Sequence, residues 1–135
     1  MSKMTLLEII NDTDLPPTQK QRLLDLVHER SLNTIVESVH GNAKAHGWWE
    51  NKREFGTLLM LCVTELSEAF EEYRTDKPPI YYYEGKPEGI AIELIDVVLR
   101  IMDIFGHEGW DFQKALEIKH EYNVTRPYKH GGKKV

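Results

Sequence analysis

Cysteine is nearly missing from this chain. The single one, Cys62, excludes an internal disulfide framework and a zinc site built on several thiolates. Its setting among Leu58, Leu59, Leu61 and Leu66 reads as a small core position. Long apolar runs are missing too: no stretch approaches the roughly 18 to 20 uncharged residues of a spanning helix. The first residues, MSKMTLLEIINDTD, lack the apolar centre and small-residue cleavage site of a secretory signal. A cytoplasmic location with no membrane partner is expected. Basic residues are outnumbered, with a net charge of -5, so a broad electrostatic grip on a nucleic acid duplex is excluded. Sustained alternation of apolar and polar residues is absent, as is any repeat of fixed period, which leaves an all-α chain. The six histidines do not fall at metal-ligand spacing with one another, and His40 and His46 read as polar positions near a site or the surface.

What is present is ordinary for a packed domain: 135 residues, 41% hydrophobic and 29% charged, enough for one core. Residues 1–30 read as a helical extension, with an amphipathic piece around Leu6 to Ile10, a turn at Asp12 to Pro16 and a helix from Pro17, whose missing amide hydrogen suits a first turn. Four principal helices follow, starting near Ser31, Lys52, Glu88 and Asp111, and predict a four-helix-bundle-like fold. Ser31 caps the first of them, which ends near Gly47; Pro127 stops the last. On the second, Leu58, Leu59, Cys62, Leu66, Ala69, Phe70 and Tyr73 share one arc, expected to be core. The segment DKPPIYYYEGKPEG, Asp76 to Gly89, reads as a long loop and a candidate lid. Residues 130–135 form a basic tail expected to be flexible.

The third principal helix, EGIAIELIDVVLRIMDIF, carries its charges on one stripe. Glu93, Asp96, Arg100 and Asp103 fall within about 80° of a helical wheel, while the rest of its circumference is apolar. A carboxylate buried on such a helix costs several kcal/mol or becomes protonated unless a cation compensates it. Arg100 and Asp103 are expected to form a supporting ion pair. Glu65 and Glu68 border the apolar arc of the preceding helix, so the pattern is Glu-x-x-Glu, a connection, then Glu-x-x-Asp. If the two helices pack antiparallel, four carboxylates meet, and they will share a site only with divalent metal. Oxygen-only ligation indicates Mg²⁺ first and Mn²⁺ second. A single acidic pair at this spacing is usually a solvated face; two pairs flanking one connection, one of them on an apolar helix, favour the metal reading.

Lys119, Asn123 and Arg126, at i, i+4 and i+7 of the last helix, form one row suited to phosphate oxygens. The plainer alternative is a solvated helix end. Trp48 and Trp49 offer a ring for a base to stack on, with core packing as the alternative.

Glu65-Leu-Ser-Glu68 and, after 24 residues, Glu93-Leu-Ile-Asp96 together resemble the ExxE…ExxD signature of the MazG-like all-α nucleoside triphosphate pyrophosphohydrolases. The resemblance runs from about Ile35 to Lys129 and includes HGWWE, TELSEAFEEYR and the closing KHEYNVTRPYKHGGK. It implies that residues 31–129 form a MazG-like domain that cleaves a (deoxy)nucleoside triphosphate to the monophosphate and pyrophosphate. It further implies Mg²⁺ held by Glu65, Glu68, Glu93 and Asp96, phosphate or sugar contacts from Lys119, Asn123 and Arg126, and a homodimer or homotetramer. In such a reaction Glu65 or Glu68 accepts the proton of the attacking water. The chain departs from members with a doubled glutamate, since Thr64 precedes Glu65. Three other readings stand beside this one. A phosphoribosyl-ATP pyrophosphohydrolase shares the motif; a non-catalytic helical interaction module would use the acidic stripe for solubility or partner choice; a di-iron carboxylate protein would want Glu-x-x-His on two helices, and neither Glu65 nor Glu93 is followed by histidine at that spacing.

Overall fold

The computed structural model describes residues 10–11, 14–29 and 31–128. Most of the amphipathic piece expected before Ile10, and the basic tail 130–135, lie outside them. The elements in order are α1 (Pro17–Glu29), α2 (Leu32–Ala45), α3 (Phe55–Arg74), β1 (Tyr81–Tyr83), β2 (Lys86–Glu88), α4 (Ile90–Glu108) and α5 (Phe112–Thr125). The described chain is thus mostly helical, and none of its helices is long and apolar enough to cross a membrane. It divides into two units, one ending at Ile35 and resuming at Gln113, the other running Val36–Phe112.

In the first unit, helix starts are closed by side chains that stand in for the missing carbonyls of a preceding turn. The Ser31 hydroxyl accepts from the Thr34 amide at 3.2 Å, the cap expected from the sequence. The Leu32 amide donates to Gln113 Oε1 at 3.2 Å, and the Gln113 amide donates to Asn33 Oδ1 at 3.1 Å. The first turns of α2 and α5 therefore satisfy each other's free amides.

The second unit is built on α3 and α4. Glu65 of α3 meets Arg100 of α4, whereas Glu68, one turn later, shares a cavity with Glu88 and Glu93. Later residues of α3 thus face earlier residues of α4, so the two run antiparallel. Leu58, Glu65 and Ala69 on α3 and Glu93, Met102 and Ile104 on α4 are buried. The expected core arc is corrected by this: Leu59, Leu66, Phe70 and Tyr73 are exposed, Tyr73 to 71%. A wheel gives the angle of each residue but not which part of the arc a neighbour covers. Here the covered seam is rotated toward Glu65, which a purely apolar arc leaves out. Cys62 is half-buried, its thiol donating to the Leu58 carbonyl at 3.5 Å; burial pushes its pKa up.

The connection Asp76–Gly89 is not the irregular loop expected. Tyr81–Tyr83 and Lys86–Glu88 pair antiparallel with Tyr82 opposite Pro87, around a two-residue turn in which Glu84 (φ 50°) and Gly85 (φ 81°) are both left-handed. That is the turn geometry whose twist matches paired strands. Strands of three residues are too short to show alternation, so only the Glu-Gly pair signals them. The hairpin is fastened at both ends. Tyr81 donates its hydroxyl to the Glu72 carboxylate at 3.0 Å, and the Ala91 amide donates to the Pro79 carbonyl at 3.0 Å. Gly89 makes the entry into α4 possible: its φ is 114°, and a Cβ there would lie 2.4 Å from the Pro79 oxygen.

Candidate metal centre and adjoining cavity

Glu65 lies in the seam because it follows Leu58 by seven residues and precedes Ala69 by four, the spacing of one helix face. Glu93 lies in the first turn of α4, where the helix dipole favours negative charge, and Asp96 follows one turn later. One carboxylate oxygen from each of Glu65, Glu93 and Asp96 can be chosen so that all three lie within 4.8 Å of one another. Glu65 and Glu93 are each only 6% exposed, and Asp96 is half-buried. Burial raises the pKa of Glu93, and the charges of Glu68, Asp96, Glu65 and Glu88 raise it further. Asp96 is raised for the same reasons, burial first and then Glu65, with Arg100 acting in the opposite sense. The site therefore disfavours its own negative charge. An oxygen-only donor set of this kind fits a hard divalent cation.

Glu68 stands outside that close group. It is exposed, and it lines a cavity of about 680 Å³ together with Glu72, Glu88, Glu93 and the apolar Leu66 and Phe70. Its charge nevertheless reaches both Glu93 and Asp96. Lys86, bound to Glu88 at 2.8 Å, is a cation on this side.

Arg100 does not pair with Asp103 as expected. Its guanidinium Nε donates to Glu65, while Asp103 accepts from His40 Nδ1 at 2.7 Å and from the Trp49 indole at 2.9 and 3.1 Å. At a spacing of three residues on one helix the two could meet, but each finds a partner on a neighbouring element. A buried carboxylate gains more from a guanidinium in the seam than an outer one does.

Glu65 and Asp96 also open onto a second cavity of about 510 Å³, lined further by Asn42, Trp48, Arg53 and Arg100. Trp48 is 57% exposed, so its ring is available to a ligand. Among the described residues Arg53 has no carboxylate within salt-bridge distance; its guanidinium sits 5.6 Å from the ring centres of both Trp48 and Trp49. Sequence reasoning missed Arg53. Its only signal was a cation four or five residues after the two tryptophans. Lys119, Asn123 and Arg126 all belong to the first unit, where Lys119 and Arg126 both stand by the ring of Tyr122.

Compared with protein-family models, with curated proteins and with solved structures, the chain gave no match in any of the three.

Proposed function

We propose that this chain is a magnesium-dependent nucleoside triphosphate pyrophosphohydrolase of the MazG-like, four-helix type, releasing a monophosphate and pyrophosphate. The observation that carries the reading is the convergence of Glu65, Glu93 and Asp96, mutually repelling and mostly buried, beside a cavity that holds two guanidinium groups and an exposed indole. Carboxylates so placed gain by taking up a cation. The cavity offers what a triphosphate's tail and base require.

In this reading Glu65, Glu93 and Asp96 hold Mg²⁺, or Mn²⁺ in its place, with Glu68 as the fourth acidic group. The ion, when bound, neutralises the phosphate tail and makes a nearby water more acidic. Arg53 and Arg100 bind phosphate oxygens through charge-assisted hydrogen bonds. Arg100 is also the partner of Glu65, and would be freer to turn to phosphate with a cation to balance that carboxylate. Trp48 stacks on the base, and Glu65 or Glu68 accepts the proton of the attacking water. Lys119, Asn123 and Arg126 are assigned as further phosphate or sugar contacts on the strength of the sequence pattern.

The test is a panel of canonical and modified nucleoside triphosphates incubated with Mg²⁺, the products resolved chromatographically. Monophosphate plus pyrophosphate is the expected result. Diphosphate plus orthophosphate, or no turnover on any substrate, overturns the reading.

The partner we assign to this unit is a second copy of the chain, in a homodimer or homotetramer. Leu59, Leu66, Phe70 and Tyr73 on α3 and Leu94 and Ile95 on α4 are exposed large apolar residues, more than a monomer ordinarily leaves in water on one helix pair. Analytical ultracentrifugation is expected to give at least twice the 15.8 kDa chain mass, and Phe70→Glu to lower it. A wild-type mass of 15.8 kDa would sink this assignment.

A further inference from the structure

The chain leaves α2 at Ala45 and reaches α3 at Phe55 through a turn that carries both tryptophans. Gly47 (φ 82°) starts the turn, in a conformation that side chains rarely adopt. Trp48 projects into the cavity beside the carboxylates, whereas Trp49 is fastened to α4. Its indole N–H donates to both oxygens of Asp103, and its ring stacks on His107 at 3.9 Å between centres and 10° between planes. The same carboxylate takes a 2.7 Å bond from His40 of α2. His40 stands edge-on to Trp49 at 5.5 Å and to His107 at 6.0 Å. Its close approach depends on residue 106 being glycine: a Cβ there would lie 2.5 Å from that of His40.

One carboxylate thus ties together the end of α4, the body of α2 and the turn between α2 and α3. The His40 and Asp103 side chains are only 13% and 15% exposed, so water competes weakly for their bonds. Arg53, beyond the turn, leans on both tryptophan rings. Whatever orients Trp49 therefore orients Trp48 and Arg53, two of the groups that line the cavity, where Asp103 itself also contributes to the lining. Asp103 lies seven residues, two turns, beyond Asp96, and the acidic group contains neither Asp103 nor its donors.

We propose that Asp103 is a positioning residue: by clasping His40 and Trp49 it holds the Trp48–Arg53 wall in the shape that binds the nucleotide, and so sets affinity without taking part in the chemistry. The inference rests on the pyrophosphohydrolase reading for the identity of the ligand. The clasp itself does not.

Three variants separate its parts. Asp103→Leu removes the acceptor, Asp103→Asn keeps a single acceptor oxygen, and Trp49→Phe keeps a stacking ring but no donor. With Mg²⁺ and the best triphosphate of the panel, KM is expected to rise about tenfold or more in Asp103→Leu and Trp49→Phe and less in Asp103→Asn, with kcat held within about threefold. Mn²⁺ affinity, read by electron paramagnetic resonance, is expected to stay at the wild-type value. A second readout needs no turnover. The Trp49 indole proton, assigned in the NMR spectrum by its loss in Trp49→Phe, exchanges slowly with solvent in the wild type and rapidly in Asp103→Leu and, to a smaller degree, in Asp103→Asn. Should Asp103→Leu fail to fold by circular dichroism, Asp103→Asn and Trp49→Phe carry both readouts. Unchanged exchange in the Asp103 variants overturns the clasp whatever the kinetics. An unchanged KM, or a fall confined to kcat, overturns the role in affinity. Absence of turnover in the wild type together with lost protection in the variants sinks the pyrophosphohydrolase reading, and with it the nucleotide role, while the clasp stands.

Discussion

Glu93→Gln is expected to lower kcat/KM by about 10² to 10³, the cost of deleting one group from a preorganised electrostatic site, while leaving the helical fold intact. Glutamine keeps the shape of the side chain and loses its charge, so packing around this buried position survives. Burial first, and then the charges of four carboxylates with Glu68 foremost among them, raise the pKa of Glu93 in the folded chain. Removing its charge relieves that repulsion, and the metal-free variant is expected to be at least as stable as the wild type. The combination is what discriminates between readings. A non-catalytic module with an acidic stripe also tolerates or welcomes the substitution, but it has no turnover to lose and no ion to release. Steady-state kinetics and thermal unfolding on one preparation decide the matter. Full activity in Glu93→Gln removes the residue from the site.

The carboxylates were legible because their chemistry conflicts with their surroundings. Glu93 and Asp96 interrupt an apolar helix, and Glu65 and Glu68 repeat the spacing across a connection; the structure brings three of the four within 4.8 Å. The helix ends were legible for local reasons as well. Ser31 can satisfy the Thr34 amide from its own position, and Gly47 supplies a left-handed residue after α2. Properties that depend on a neighbour were not legible. The wheel gathered Leu59, Leu66, Phe70 and Tyr73 into a core face, yet α4 covers the strip through Leu58, Glu65 and Ala69 instead. Arg100 and Asp103 looked like partners because they share a stripe, but the choice of partner is made between helices. Trp48 and Trp49 are adjacent and chemically identical; only the three-dimensional position of Asp103 separates the ring that is fastened from the ring that is free. The hairpin at Tyr81–Glu88 escaped because its strands are shorter than any period can reveal.

Magnesium and pH are expected to act on stability in opposite directions through Glu93 and Asp96. In the unfolded chain both groups titrate in the ordinary carboxylate range near pH 4. In the folded, metal-free chain both pKa values are raised, by burial first and by neighbouring charges second. The folded state therefore binds protons more tightly. The stability this contributes is fully present below the unfolded pKa and is lost as pH rises through the folded values. Metal-free protein should accordingly lose stability from these two groups as pH rises from about 4 through their raised folded-state values. Saturating Mg²⁺ near pH 7 reverses the effect, since an ion held only by the folded state adds about 2.7 kcal/mol at a hundredfold excess over its Kd. That is a rise in Tm on the order of 10 °C. The wild-type curve, measured in EDTA and then in Mg²⁺, is best read against Glu93→Gln, which shares every other titrating group. In the variant the acid-side gain should shrink to the part due to Asp96, and the Mg²⁺ shift should nearly vanish. An equal Mg²⁺ shift in both proteins would place the ion elsewhere. A difference curve that is flat across the same pH window would mean that Glu93 carries no unfavourable charge in the folded chain.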